Sequence, residues 1–538
     1  MAETAPELIV IADRVHSLDE GTPTVQALAI TGGRVSALAD ADTIRALAGP
    51  ATVVRVLPGA TVVPGLVDAH SHPIMSLDLV RGVSLVGVTD MVALRAALEA
   101  GRAGLGEDDW FFAWGLDPNA FEGAPLGNAL LHELFGPDRL AWIMLFDGHS
   151  ALASDAALAL AGITAPRQFD DGASIAGDST GRPSGHLLEF TAMKLVQAVH
   201  PAVTLGERAD QLRELLARMA AAGITEAHVL DMEAPDTLEL LTAAEAAGEL
   251  AVRLRISPWC EPTSTDADLE RIRGLQGTHG RRWRIEGVKF FIDGTVEGGT
   301  AWLDSPDADG EGLQSFWRDA DAYADRIRFF HDHGIPTTTH AIGERGIRTV
   351  AQTLAALQPN GVQHRIEHLE SVTDDTIALL AGAGIATGMQ PTHCTHYVRA
   401  DGGDDWSRRL GPTRAGRAWR TRDVREAGVT LALGSDWPIA PFEPLAIMAD
   451  AQLRRPALHE DAPPVRPEQA LTARQALEGY TVHAHRSIGA AGGVLAPGAR
   501  ADLTVLDVDP LAADPDALAR GRVLLTVLDG VVAFDAVG

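Results

Sequence analysis

Only two cysteines, Cys260 and Cys394, occur in 538 residues. They are far apart in sequence and form neither a disulfide framework nor a thiolate metal motif. Cys394 stands between His393 and Thr395 in the stretch 391–396, but soft-metal sites need several thiolates, so it reads as an ordinary thiol. Positive charge is also scarce: 44 Lys and Arg face 73 Asp and Glu, a formal net charge of −29. A surface of that sign repels nucleic acid and anionic membranes, so neither is expected as a partner. No apolar run approaches the roughly 18 residues of a membrane span. The first residues, Met-Ala-Glu-Thr-Ala-Pro-Glu, lack the basic start and apolar core of a signal peptide. The expectation is a soluble, cytoplasmic protein. Repeats of fixed period and low-complexity segments are also missing.

Hydrophobic residues make up 46% of the chain, enough for a large core and too many for disorder. The length predicts a large domain with additions. Residues 7–15, 25–38 and 52–57 alternate apolar runs with turn signals, and residues 501–507 and 523–530 repeat that texture. Two β-rich ends around a different middle predict one small β-sandwich built from both termini, residues 1–63 and 487–538. The middle alternates helix-like segments (91–102, 207–222, 235–248, 318–334, 344–357, 372–383) with short apolar runs at 61–69, 224–229, 252–256, 288–292, 336–340, 364–368, 385–389 and 429–434. Alternation of this kind implies parallel strands with right-handed crossovers. Eight units predict an α/β fold, a (β/α)₈ TIM barrel over residues 64–486, with catalytic groups at the strand C-terminal ends. Residues 104–200 interrupt the alternation and read as an insertion after the first barrel unit. They hold Trp110, Trp114, Trp142, Phe111, Phe112, Phe121 and Phe146. Most of these rings should fill the insertion's own core. One or two, Trp114 among them, are expected to line a substrate pocket.

The chemistry begins at the run 61–73, which ends in His70-Ser71-His72-Pro73. Side chains at i and i+2 of a strand share one face, so the two imidazoles leave together. Pro73 ends the ladder. His340, His368 and Asp436 end later runs, and Lys289 lies in the fourth. Imidazole and carboxylate suit borderline metals such as zinc. An ammonium cannot bind a cation, but a buried lysine with a lowered pKa offers a nucleophilic amine, which carbon dioxide converts to an anionic carbamate. The simpler role for Lys289 is a salt bridge to Glu286 or Asp293.

These residues resemble the metal-dependent amidohydrolase superfamily, in particular its YtcJ-like branch, amidohydrolase family 3. The resemblance is carried by the stretches 64–72, 147–150, 181–185, 288–294, 340–344, 365–368, 434–438 and 497–503, and so spans nearly the whole chain. It implies that His70, His72 and Asp436 hold one divalent metal ion, expected to be Zn²⁺. It further implies that His340 and His368 hold a second and that carboxylated Lys289 bridges the two. Glu297 and Ser154 depart from the usual pattern. The implied reaction is hydrolysis of a C–N bond in an amide-like small molecule, such as an N-substituted formamide on a hydrophobic amine. Asp436 would move the proton from the attacking water to the leaving nitrogen. His149, His393 and His228 are expected to contact the substrate. A homodimer is expected from the resemblance alone. Hydrolysis of a cyclic amide, ester, lactone or phosphotriester remains open on such a site. So does a non-catalytic metal-binding scaffold, which an intact ligand set disfavours.

Overall fold

The structure is a computed structural model that describes residues 5–21, 24–106, 109–232 and 234–537. Its middle is α/β because the sequence alternates two hydrophobic periods. The helix Leu205–Ala221 shows the first: Leu212, Leu215, Leu216 and Met219 fall on one buried stripe, and a reciprocal Thr204–Glu207 capping box starts it. Each of those apolar side chains contributes roughly 2 kcal/mol by leaving water. The strand Thr337–Ala341 shows the second, a fully buried run rich in β-branched threonine.

The strands form two all-parallel sheets. Leu66–Ser71, Ile224–Met232, Arg253–Pro258 and Trp283–Ile285 make one. Val288–Phe291, Thr337–Ala341, Arg365–His368, Ala386–Met389 and Leu431–Leu433 make the other. Single parallel bridges join the sheets on both sides, Ser71 with Trp437 and Trp259 with Lys289. All eight expected runs carry a strand, with two differences. The fourth, Val288–Phe291, pairs forward and is preceded by a short strand that the sequence reading did not include, Trp283–Ile285, which pairs backward, with Gly287 turning between them at φ 92°. The first is shorter than expected. Residues 61–64 belong to the long strand Val53–Pro64, and the new strand starts only after Gly65.

Val53–Pro64 lies in a seven-stranded sheet that takes strands from both ends of the chain. Its order is Val531–Asp535, Val523–Leu528, Leu503–Leu506, Val53–Pro64, Leu8–Val15, Val25–Thr31, Arg34–Ala39. A third sheet, also of seven strands, runs from Val83–Ser84 to Pro183–Leu188. It begins earlier than residue 104. The helix Met91–Gly101 packs on it through Leu94 and Leu98 against Phe111 and Leu116, rather than on the parallel strands. No helix among the described residues is long and apolar enough to cross a membrane.

Candidate active site

The first and last parallel strands are stitched at their C-terminal ends. Asp436 N donates to His70 O, and His72 N donates to Trp437 O, both at 2.8 Å. A Cβ on Gly434 would lie 2.5 Å from His70 N, so only glycine permits this approach. Asp68 secures the join by accepting from Ser435 N at 2.9 Å and Ser435 Oγ at 2.6 Å. The seam therefore brings together residues from opposite ends of the middle segment. His72 Nε2 lies 2.9 Å and His70 Nε2 3.4 Å from Asp436 Oδ1, and the two imidazole nitrogens are 3.3 Å apart.

The other oxygen of Asp436 faces a second pair. His368 Nδ1 is 3.8 Å and His393 Nε2 is 3.6 Å from Oδ2. Ligand atoms of His70, His72 and Asp436 lie within 4.8 Å of one another, as do those of His368, His393 and Asp436. The His340 ring is 4.4 Å from that of His368, but its Nε2 is turned to Gly294 O at 3.2 Å and it completes neither set. His368 and Asp436 both hold left-handed backbone, φ 74° and 60°. Non-glycine residues adopt it rarely, and such strain gathers at functional sites.

Burial shapes the charge of these groups. It holds His70, His340 and His368 well below the ordinary histidine range, with further lowering from Lys289 and from neighbouring imidazoles. Neutral imidazoles keep a lone pair for a cation. His70 Nδ1 bonds Glu367 Oε2 at 2.8 Å, and Arg365 pairs with Glu367 in turn. A carboxylate on one ring nitrogen fixes the tautomer and turns the other toward a metal. Lys289 is fully buried, and its Nζ makes no hydrogen bond with any described residue. It sits 4.6 Å from the Phe291 ring centre, and burial lowers its pKa to about 8. The salt bridge to Glu286 or Asp293 does not form: Glu286 pairs with Arg255, and Asp293 accepts backbone N–H groups of Trp302, Ile342 and Gly343. A buried amine without a hydrogen bond beside lone-pair imidazoles and a free carboxylate oxygen is a donor set that fits a divalent cation.

His72, Lys289, His340, His368, His393 and Asp436 line a chamber of about 50 Å³ together with His149, Phe146, Phe190, Phe291, Glu297, Glu370 and Tyr397. Glu297 and Tyr397 also line an outer cavity of about 1530 Å³. Burial raises Glu370 to about 8, with Asp293 and Asp436 raising it further, and burial together with the Glu370 charge raises Glu297 well above the usual carboxylate range. Ser154 lies outside the chamber, where it caps the helix Asp155–Leu160 through Ala157 N.

Two expected site residues are elsewhere. His228 does not reach the chamber, because its strand continues four residues past it to Met232. It is buried lower down, bonding Arg365 at 3.0 Å and facing Glu226 at 3.7 Å. Trp114 packs edge-on against Trp437, ring centres 5.8 Å apart, and lines no part of the chamber. The insertion supplies Phe146, His149 and Phe190 instead. Glu367 and Glu189, which hold His70 and His149, had no assigned role in the sequence reading, although Glu367 lies inside a conspicuous motif.

The amidohydrolase family model matches residues 57–534. Over 537 residues the chain is 28% identical to the putative amidohydrolase YtcJ of Bacillus subtilis (strain 168), covering 96% of this chain and 97% of that protein. It is 26% identical over 567 residues to the N-substituted formamide deformylase of Arthrobacter pascens, covering 99% of each. A solved structure of an uncharacterized metal-dependent hydrolase from Pyrococcus horikoshii OT3 superposes with a TM-score of 0.71 at 22% identity, covering 94% of this chain and 99% of that one. The motifs, the fold and the histidine–aspartate group agree: the chain belongs to the amidohydrolase family and is a hydrolase of carbon–nitrogen bonds.

Proposed function

We propose that this protein removes a small acyl group, foremost a formyl group, from an N-substituted amide, on a (β/α)₈ barrel whose two parallel sheets form one ring. The inserted sheet walls the site, and residues 1–63 and 487–538 form a separate β module. One observation carries the substrate reading. The chamber beside Asp436 measures about 50 Å³, the space of about four waters at ~10–15 Å³ each. A formyl carbon and oxygen fit there and a long acyl chain does not. The rest of the substrate must then lie toward the outer cavity past Glu297 and Tyr397. Similarity to a formamide deformylase along the whole chain supports the same class.

His70, His72 and Asp436 would hold one divalent ion, and His368 with carboxylated Lys289 would serve a second, which His340 would join by turning from Gly294 O. When bound, the ions supply a water of lowered pKa and a Lewis acid for the carbonyl. Glu367 holds the His70 ring in the binding orientation. Asp436 takes the proton of the attacking water and passes it to the leaving nitrogen, a role suited to a carboxylate whose two oxygens face different partners. His393, 3.6 Å from Asp436 Oδ2, would assist delivery of that proton to the leaving amine.

The test is a homologous series of N-benzyl amides with formyl, acetyl, propionyl and butyryl groups, assayed on metal-loaded protein. Turnover should fall steeply with each added methylene. Faster hydrolysis of the butyryl amide, or of cyclic imides, would sink the reading.

A further inference from the structure

The insertion does more than wall the chamber. Its residue His149 is buried there, with its ring 5.2 Å from His340 and 6.0 Å from Phe291. What fixes that ring is a carboxylate from the same insertion. His149 Nδ1 bonds Glu189 Oε2 at 2.8 Å. The second carboxylate oxygen, Oε1, accepts from Thr300 Oγ1 at 2.6 Å. Glu189 N donates to His149 O at 2.6 Å, so the two residues are held by backbone and side chain together. On the far side, Asp147 Oδ1 accepts His149 N at 3.0 Å, and Asp147 Oδ2 accepts Thr295 Oγ1 at 3.2 Å.

Three features set this arrangement apart from ordinary packing. Glu189 is left-handed, φ 64°, at the first residue of the helix Glu189–Gln197. A non-glycine residue seldom takes that backbone without being held there. A Cβ on Gly294 would lie 2.2 Å from both Glu189 Oε1 and Thr300 Oγ1, so the carboxylate occupies space that only glycine leaves open. Gly294 O is in turn the partner of His340 Nε2. With Nδ1 taken by Glu189, Nε2 is the ring nitrogen left to face the chamber.

We propose that Glu189 is a positioning residue that fixes His149 so that its Nε2 hydrogen-bonds the scissile amide of the substrate. The proposal rests on the hydrolase reading above and deepens it: the inserted sheet contributes a working part of the catalytic apparatus.

The experiment is a double-mutant cycle with Glu189→Ala, His149→Ala and the double variant, with Glu189→Gln as the conservative control. Each is assayed for kcat, KM and metal content on N-benzylformamide. Each alanine variant should lose about 100-fold in kcat, with metal content unchanged. The double variant should lose no more than His149→Ala alone, since Glu189 acts through that ring. Glu189→Gln, which keeps an acceptor oxygen, should recover part of the loss. Independent multiplicative losses, or a loss that follows metal content and is not rescued by glutamine, would overturn the proposal. A second readout separates this failure from failure of the hydrolase reading. In ¹⁵N-histidine-labelled protein, assigned with His149→Gln, the Nδ1–H signal of His149 should shift in Glu189→Gln whether or not any amide is turned over. An unshifted signal overturns the positioning role. A shifted signal with a wild type inactive on every amide upholds the bond and removes the hydrolase reading on which the proposal rests.

Discussion

Asp436 serves two neighbourhoods with one carboxylate, His70 and His72 at Oδ1 and His368 and His393 at Oδ2. Replacing it separates binding from proton transfer. Asp436→Asn keeps an oxygen for the cation and loses the base. Turnover should fall by about 10³-fold while plasma mass spectrometry finds most of the metal still bound. A normal kcat would remove Asp436 from the proton path. Lys289 gives the complementary case. Its amine is buried without a hydrogen bond, which is costly for an ammonium and natural for a group that becomes an anion. Lys289→Ala should lower metal content, and millimolar short carboxylates should restore part of the activity. Full metal content in that variant would leave the lysine no bridging role.

The residues legible in the sequence were those that simple strand geometry presents. His70 and His72 share a face by alternation, and His340, His368 and Asp436 end runs of the right length. What alternation cannot show is a break in it. Glu367 and His368 are consecutive and should point to opposite faces. The left-handed backbone at His368 lets both serve the site, Glu367 on His70 Nδ1 and His368 with its ring 4.8 Å from that of His70. Glu189 is hidden for the same reason. His228 misled because strand ends are hard to place from sequence: its strand runs on to Met232, and the residue near that end, Asp231, accepts the N–H groups of Ile74 and Met75.

At the scale of elements, buried polar pins hold helices to strands. His364 joins the helix Ala320–Asp332 to the strand Thr337–Ala341, bonding His331 Nδ1 at 2.9 Å and Thr337 Oγ1 at 2.8 Å. Burial first and His331 second lower its pKa from 6.5 to about 4. The unfolded chain gains a proton there below pH 6.5, and the folded chain does not until about pH 4. Its stabilisation is therefore complete above pH 6.5 and is lost as pH falls from there to about 4. Between pH 7 and 5 the loss is about 2 kcal/mol for this one group. His364→Gln should show a shallower fall in urea-unfolding stability over that range than the native chain. Equal slopes would mean that the ring is charged in the fold.

A second pin ties the sheet built from both termini to the parallel strands. Arg253 reaches Glu226 at 3.0 Å, Asp502 at 2.8 Å and Asp529 at 2.6 Å. Glu226 is buried but keeps Arg255 and Arg500 as partners, so removing the guanidinium breaks three contacts without stranding that carboxylate. Arg253→Ala should destabilise the protein by about 2 kcal/mol, read as a drop in the thermal midpoint. The seams between the parallel sheets were less legible than the strands. Gly434 and Gly287 look like ordinary turn residues in sequence, and only the assembled fold shows what passes beside them.

Across the whole molecule, one feature of connectivity sets a schedule. The strand Val53–Pro64 leads through Gly65 straight into the strand that bears His70, and its neighbour on one side is Leu503–Leu506. Gly65 N itself donates to Asp502 O at 2.9 Å. At ~5–20 residues per second of synthesis, the ribosome delivers that neighbour on the order of half a minute or more after the strand has emerged. During that interval the strand presents an open row of N–H and C=O groups, the kind of edge on which chains pair with the wrong partner. The entry to the histidine cluster is thus flanked by a strand that the ribosome makes far later in synthesis, and its edge stays open through that interval.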